Sequence, residues 1–287
     1  MRDLVLRMRF VPNPPILLFR RLVRSIDKNG LRGAVGRSYE RLAHSLATHG
    51  VRGTLDRAFV KAPVPAVSSE PAKPRLPDPF DVAHGIDTSG YISGAEMQSV
   101  SMSALYTTAY VGFPSSVLTQ AIADVPVSPE TFTFVDLGCG KGRALLVAAA
   151  FPFPRLLGVE LVPDLCLIAR ANIATNPDWV SRVTVLNEDA TTFSYPDGPL
   201  LVYLFHPFLA PVLRRVLANL ERQLRRSPRE TYVLYARNPH YDEVLRRFPF
   251  LHEISETSYL LSPEDVAADY FDMTEESVTL YSVDLCR

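Results

Sequence analysis

Residues Val135 to Gly142 read VDLGCGKG, an acid followed by glycines at alternate positions. Glycine lacks a Cβ, so the backbone there can turn sharply and let a ligand approach closely. A helix beginning behind such a loop offers its N-terminus to that ligand. Asp136, two positions before Gly138, puts a carboxylate at the tip of a strand, placed to fix the loop or to meet a cationic group. A glycine-rich turn alone also serves to pass from strand to helix. The spacing GxGxG after an acid, inside a strand–helix–strand pattern, points to a nucleotide-type cofactor.

Neighbouring residues narrow the choice. The GxxxxGK[ST] spacing of a Walker A phosphate loop is absent, and Arg143 stands where a dinucleotide fingerprint would carry its third glycine. Glu160 follows Gly138 by 22 positions, at the end of the next apolar run. A carboxylate there can accept both hydroxyls of a ribose, a feature that serves several nucleotide cofactors alike. Asp189 and Ala190 close a third run; the acid can accept from an adenine amino group and the small Ala leaves room for the ring. Asp189 can equally cap the segment that follows. Cys139 is expected to contribute only its backbone, and Lys141 and Arg143 read as surface charges. Tyr91, Tyr106 and Tyr110 could cover a cofactor or simply pack.

These residues need a scaffold that brings strand tips together. Thr131–Gly138, Arg155–Glu160, Arg182–Asp189, Pro199–Phe205 and ETYVLYA (residues 230–236) read as strands. The Pro199–Phe205 run is continuously apolar, as a central strand buried on both faces should be. Between them Arg143–Phe151, Pro163–Ala174 and Leu209–Arg226 read as helices, the last with Val212, Leu213, Val216, Leu217, Leu220 and Leu224 on one face. HYDEVLRRF is expected as a further helix. FLHEISETSY and ESVTLYSV read as two closing strands forming an antiparallel hairpin, without a convincing helix between them. Alternation of this kind predicts an α/β fold with a mostly parallel sheet covered on both faces. The acidic stretch Glu264–Glu276 reads as a solvated loop or lid, able to attract a basic substrate.

On FVDLGCGKGRALLVAAAF, RLLGVE, RVTVLNEDA and LLVYLFHPF the chain resembles bacterial class I S-adenosylmethionine (SAM)-dependent methyltransferases. The closest subgroup is distantly similar to the Rossmann-fold, non-SET histone lysine methyltransferases. The resemblance covers residues 80–287, including His84–Ile92 and Tyr110–Pro114. It implies a Rossmann-like class I methyltransferase fold with SAM as cofactor. It also implies Asp136, Gly138 and Gly140 around the methionine part, Glu160 at the ribose, Asp189 near the adenine, and Phe205 to Phe208, with Pro207, beside the methyl group. The family usually ends its fourth strand in an Asn-Pro-Phe-like sequence, where this chain has His206-Pro207-Phe208. Neutral histidine can accept a hydrogen bond from a target nitrogen or take its proton. His206 is therefore the candidate catalytic residue, set against a substitution that merely keeps the turn. A non-catalytic SAM-binding or scaffold protein draws support from that departure. An NAD-dependent oxidoreductase is weakened by the missing dinucleotide spacing.

The acceptor is open at this level, with protein, possible lysine included, or small molecule favoured over nucleic acid. Hydrophobic residues make up 47% of the 287 and charged residues 21%, enough to bury a core without staples. Cys139, Cys166 and Cys286 form no CxxC pair, so neither a metal site nor a disulfide framework is expected. No apolar run approaches the roughly 20 residues of a membrane span, and the expected location is cytoplasmic. The net charge of −1 conceals an asymmetry: residues 1–61 hold 13 Lys and Arg against 4 Asp and Glu, the remainder 17 against 27. The basic part, 1–61, reads as helical and could dock on an acidic partner or membrane surface. Residues 62–79 carry six prolines and read as a linker. The domain is then 80–287.

Overall fold

The computed structural model describes residues 77–93, 97, 103, 108–205, 207–236 and 241–285. The expected basic helical region 1–61 and nearly all of the linker 62–79 lie outside the described residues, as do Tyr106, His206 and Cys286. Asp78 and Pro79, assigned from sequence to the linker, instead open the first helix, α1 (Pro79–His84): Asp78 accepts from the Phe80 and Asp81 amides, and Pro79 occupies the first turn, where its missing N–H costs nothing.

A two-stranded ladder follows, β1 (Tyr91–Ile92) pairing antiparallel with β2 (Tyr110–Val111). Then come α2 (Ser115–Ala123), β3 (Thr133–Leu137), α3 (Arg143–Ala148), β4 (Arg155–Glu160), α4 (Pro163–Ile173), α5 (Pro177–Arg182), β5 (Val183–Asn187), β6 (Leu200–Phe205), α6 (Ala210–Arg226), β7 (Thr231–Ala236), α7 (Asp242–Leu245), β8 (Leu251–Leu260), α8 (Pro263–Ala268) and β9 (Glu275–Val283). The strands form a sheet in the order β5-β4-β3-β6-β7-β9-β8. β5 to β7 run parallel; β9 joins β7 antiparallel and β8 pairs with β9 as the edge hairpin.

The expected α/β architecture with its closing hairpin is thus observed. Two details differ. A short helix, α8, does separate the closing strands, and the helix expected in HYDEVLRRF shrinks to the four residues of α7. The parallel strands are apolar because helices cover both faces: Phe134, Leu156, Leu201, Val202 and Val233 are fully buried. The six apolar residues picked out on α6 are all buried. In this strand order the chain crosses from the β3–β4–β5 half to the β6–β7 half beside β3. Open α/β sheets form their ligand crevice outside the carboxyl ends of the strands at such a switch.

Candidate functional site

At that crevice lies a cavity of about 280 Å³. Its walls come from the tips of β3, β4, β5 and β6, from β2, and from the turn between α8 and β9. Among the predicted residues, Asp136, Gly138, Cys139, Gly140, Glu160, Asp189, Ala190, Phe205 and Pro207 all line it. Residues scattered over some 70 positions are brought to one place because each ends a parallel strand or sits in the loop after one.

The loop is built from three glycines with positive φ, Gly138 (+85°), Gly140 (+52°) and Gly142 (+88°). Two of them also face close neighbours. A Cβ at Gly138 would stand 2.3 Å from the Pro207 Cβ, and one at Gly140 would stand 2.3 Å from the Tyr110 ring. The loop amides are engaged internally. Gly138 and Cys139 donate to the Val159 carbonyl (2.7 and 3.2 Å), Gly142 to the Cys139 carbonyl (2.8 Å), and Gly140 to Glu160 Oε2 (2.9 Å). Cys139 therefore contributes neither a free backbone N–H nor a reactive thiol: burial, with Asp136 and Glu160 nearby, pushes its pKa well up.

Four acidic residues line the cavity, Asp136, Glu160, Glu188 and Asp189. Asp136 is 3% exposed and no hydrogen bond to its carboxylate occurs among the described residues; burial first, then the charge of Glu160, raises its pKa well above the ordinary range. Glu160 is also raised, by burial, against the backbone amides that bond it. Its Oε1 accepts from Val162 (2.8 Å) and its Oε2 from Gly140 (2.9 Å). A carboxylate has about four acceptor sites, so Glu160 can fix the loop and still accept from a ligand. Asp189 Oδ1 accepts from the Thr191 amide (2.9 Å) and hydroxyl (2.7 Å), so it closes the turn that follows; no helix begins there for it to cap. Glu188, not singled out in the sequence, lies next to it on the wall.

The two loop cations are not at the surface. Lys141 and Arg143, read as surface charges, are buried. Arg143 pairs with Asp78 (2.7 Å) and Asp81 (3.4 Å) and donates to the Thr88 hydroxyl (2.8 Å). Burial works against its charge, but Asp78, Tyr110 and Asp81 outweigh that and hold its pKa above the usual value. Lys141 pairs with Asp87 (2.7 Å) and donates to the Ser89 carbonyl (2.8 Å). Asn172 on α4 joins the same network: it accepts from the Asp87 amide and donates to the Asp87 and Lys141 carbonyls. Lys and Arg are buried only when paired, and their partners lie 54 to 65 positions upstream. The short sequence windows around the loop hold no sign of that pairing. The spare acids of α1 and the turn after it were the available signal.

The far wall is aromatic. Phe113 and Phe205 stand edge to face at 4.7 Å, with Tyr203 beside them. At the rim Tyr91 stacks on Tyr270 at 4.7 Å, and Phe271 meets both edge-on. Of the aromatics picked from sequence, Tyr110 is a wall residue whose hydroxyl donates to the Thr88 carbonyl (2.6 Å), and Tyr91 is a rim residue. The acidic stretch 264–276 is not uniformly solvated: Asp265 is buried and accepts from the Ser116 amide (2.9 Å) at the start of α2. Among the described residues no group of His, Cys, Asp and Glu is arranged to hold a metal ion, and no helix is long and apolar enough to cross a membrane.

Residues 134–227 match a family described as a methyltransferase domain. The chain therefore carries a SAM-dependent methyltransferase domain of Rossmann-like fold. No curated protein matches the sequence. Solved structures similar to the chain include the N-methyltransferase NodS from Bradyrhizobium japonicum (14% identity, 58% of this chain and 94% of that one, TM-score 0.44). The glycopeptide N-methyltransferase MtfA (13%, 60% and 87%, 0.44) and magnesium protoporphyrin IX methyltransferase from Synechocystis (11%, 58% and 76%, 0.41) are others.

Proposed function

We propose that the domain transfers the methyl group of SAM to a nitrogen or oxygen nucleophile, with a protein lysine as the first acceptor to test. One observation carries the reading of the site: acidic residues line the cavity, while the amides of Gly138, Cys139, Gly140 and Gly142 and both loop cations are engaged by the protein itself. Such a loop offers no cradle for a phosphate. It suits a cofactor with a sulfonium, an ammonium and ribose hydroxyls but no phosphate.

SAM fits the residues present. Asp136, buried without a hydrogen-bond partner, would face the methionine ammonium. The remaining lone pairs of Glu160 would accept the ribose hydroxyls. Ala190 would leave room for the adenine beside Asp189, and Phe205 and Pro207 would flank the methyl group. SAM supplies an activated methyl carbon on a leaving group that needs no acid. The protein's part is then to hold a nucleophile's lone pair in line with that carbon and to exclude water, which can supply much of the rate. His206 sits in sequence between two cavity residues, Phe205 and Pro207. In this reading it accepts a hydrogen bond or proton from the nucleophile.

Titration calorimetry with SAM and with NAD tests the cofactor: SAM should bind and NAD should not. Labelling of a cell extract with radioactive SAM, followed by protease and nuclease treatment of the product, tests the acceptor; protease-resistant label would remove the lysine reading. His206→Ala should leave SAM affinity within about twofold and cut turnover. Unchanged turnover would remove the catalytic role.

A further inference from the structure

The segment before the sheet touches both ends of the cavity. At one end α1 and the turn after it are fastened to the cofactor loop. Arg143 reaches Asp78, Asp81 and Thr88, while Lys141 reaches Asp87 and Ser89. Asp81 is itself saturated by the strap, accepting from the Thr88 and Ser89 amides at 2.8 Å each and from the Thr88 hydroxyl. At the other end the strap continues into β1. There Tyr91 pairs with Val111 of β2 and stacks on Tyr270 at the rim. The neighbouring β2 residue Tyr110 lays its ring on Gly140 and bonds back to Thr88. Gly112 closes the fit: a Cβ there would stand 2.8 Å from the Thr88 carbonyl and 2.9 Å from Arg143 Nε.

On the reading that this cavity binds SAM, we propose that Arg143 and Lys141 are positioning residues. They dock the strap 78–92 and β2 onto the glycine loop, and the docked strap couples cofactor binding to the acceptor side of the cavity. The loop must hold three positive-φ glycines in one arrangement, and the Tyr110 ring on Gly140 excludes alternatives in which that residue shifts. Any preference of SAM for the docked strap must be matched by an equal effect of SAM on strap docking, because coupling between two binding events is reciprocal. Cofactor binding should therefore order Tyr91 and the rim before an acceptor arrives, which makes SAM the first ligand to bind and the acceptor the second.

The test uses the full chain and S-adenosylhomocysteine as the probe. Binding is measured by calorimetry and strap docking by amide hydrogen exchange at Thr88 and Ser89. Wild-type protein should show at least tenfold slower exchange at these two amides when the probe is bound. Arg143→Ala should weaken probe binding at least tenfold. Thr88→Val and Lys141→Met, milder changes that spare Asp78 and Asp81, should weaken it several-fold and carry the test if Arg143→Ala does not fold. Leu220→Ala, in the buried face of α6, serves as a control for lost stability and should leave affinity within about twofold. The proposal is overturned if the strap variants bind like wild type, if Leu220→Ala weakens binding as much as they do, or if the probe leaves Thr88 and Ser89 exchange unchanged. Wild-type protein that fails to bind the probe would remove the SAM reading itself, a result distinct from the others.

Discussion

Asp136→Asn should move stability and cofactor affinity in opposite directions. Asp136 is 3% exposed, its carboxylate has no hydrogen-bond partner among the described residues, and it lies near Glu160. Leaving a buried polar group unsatisfied costs about 1–3 kcal/mol, more when it is charged. An amide of the same shape removes the charge and the repulsion from Glu160, so the cofactor-free variant should gain on the order of 1–3 kcal/mol at neutral pH. The sign depends on pH. A carboxyl whose folded pKa is raised is protonated in both states below its unfolded value of about 3.9, so variant and wild type should agree there. As pH rises from that value toward the folded one, the wild type loses stability relative to the variant. Binding should run the other way. Losing a hydrogen bond to a charged group is worth about 1.5–3 kcal/mol, or roughly 10- to 150-fold in Kd for SAM. Urea unfolding across pH 3.5–8 measures the first effect and calorimetry the second. A variant that is less stable than wild type at pH 7, or that binds SAM as tightly, would refute this account of Asp136.

Three further outcomes follow from local geometry. Gly140→Ala should destabilise the fold by about 1–3 kcal/mol, because φ is +52° and the new Cβ meets the Tyr110 ring; SAM affinity should fall with it, urea unfolding reading the first effect and a calorimetric titration the second. Asp265→Ala should lower the urea midpoint by the equivalent of about 1 kcal/mol through loss of the bond to the Ser116 amide at the start of α2, with SAM affinity unchanged. Glu276→Gln should flatten the pH dependence of stability between about pH 4.5 and 7: burial, with Asp269 nearby, pushes Glu276 up to about 7, so its ionisation costs folding free energy as pH rises through that window. A variant curve parallel to wild type would show that Glu276 is not the titrating group.

The sheet was legible because each of its parallel strands is a short apolar run bounded by glycine, proline or charge, and α6 because its apolar residues keep a helical period over 17 positions. The site residues at strand tips were legible for the same reason: their place is fixed by chain order alone. α8 is not legible in the sequence because six residues starting at Pro263 carry no periodicity, and its key acid bonds a helix some 150 positions away.

The burial of Lys141 and Arg143 is hidden in the sequence for a different reason. A cation flanking a glycine loop has two opposite meanings, a ligand for phosphate or an anchor for a neighbouring segment, and nothing in the loop separates them. What separates them is the supply of acids able to reach it. Asp78, Asp81 and Asp87 lie within ten residues, the first two at the start of a helix, where a three-residue spacing puts both carboxylates on one side. Three acids so grouped repel one another unless cations arrive, and the two loop cations are the ones the fold brings there. The same pairing that hides Lys141 and Arg143 from solvent also removes them from phosphate recognition. Substituting the strap acids rather than the loop should therefore expose that function: Asp78→Asn with Asp81→Asn would strip Arg143 of both its charge partners, and inorganic phosphate or a nucleotide should then bind measurably, with no binding to the wild type. Continued absence of phosphate binding in a folded double variant would mean that the engaged loop amides, and not the locked cations, are what exclude it.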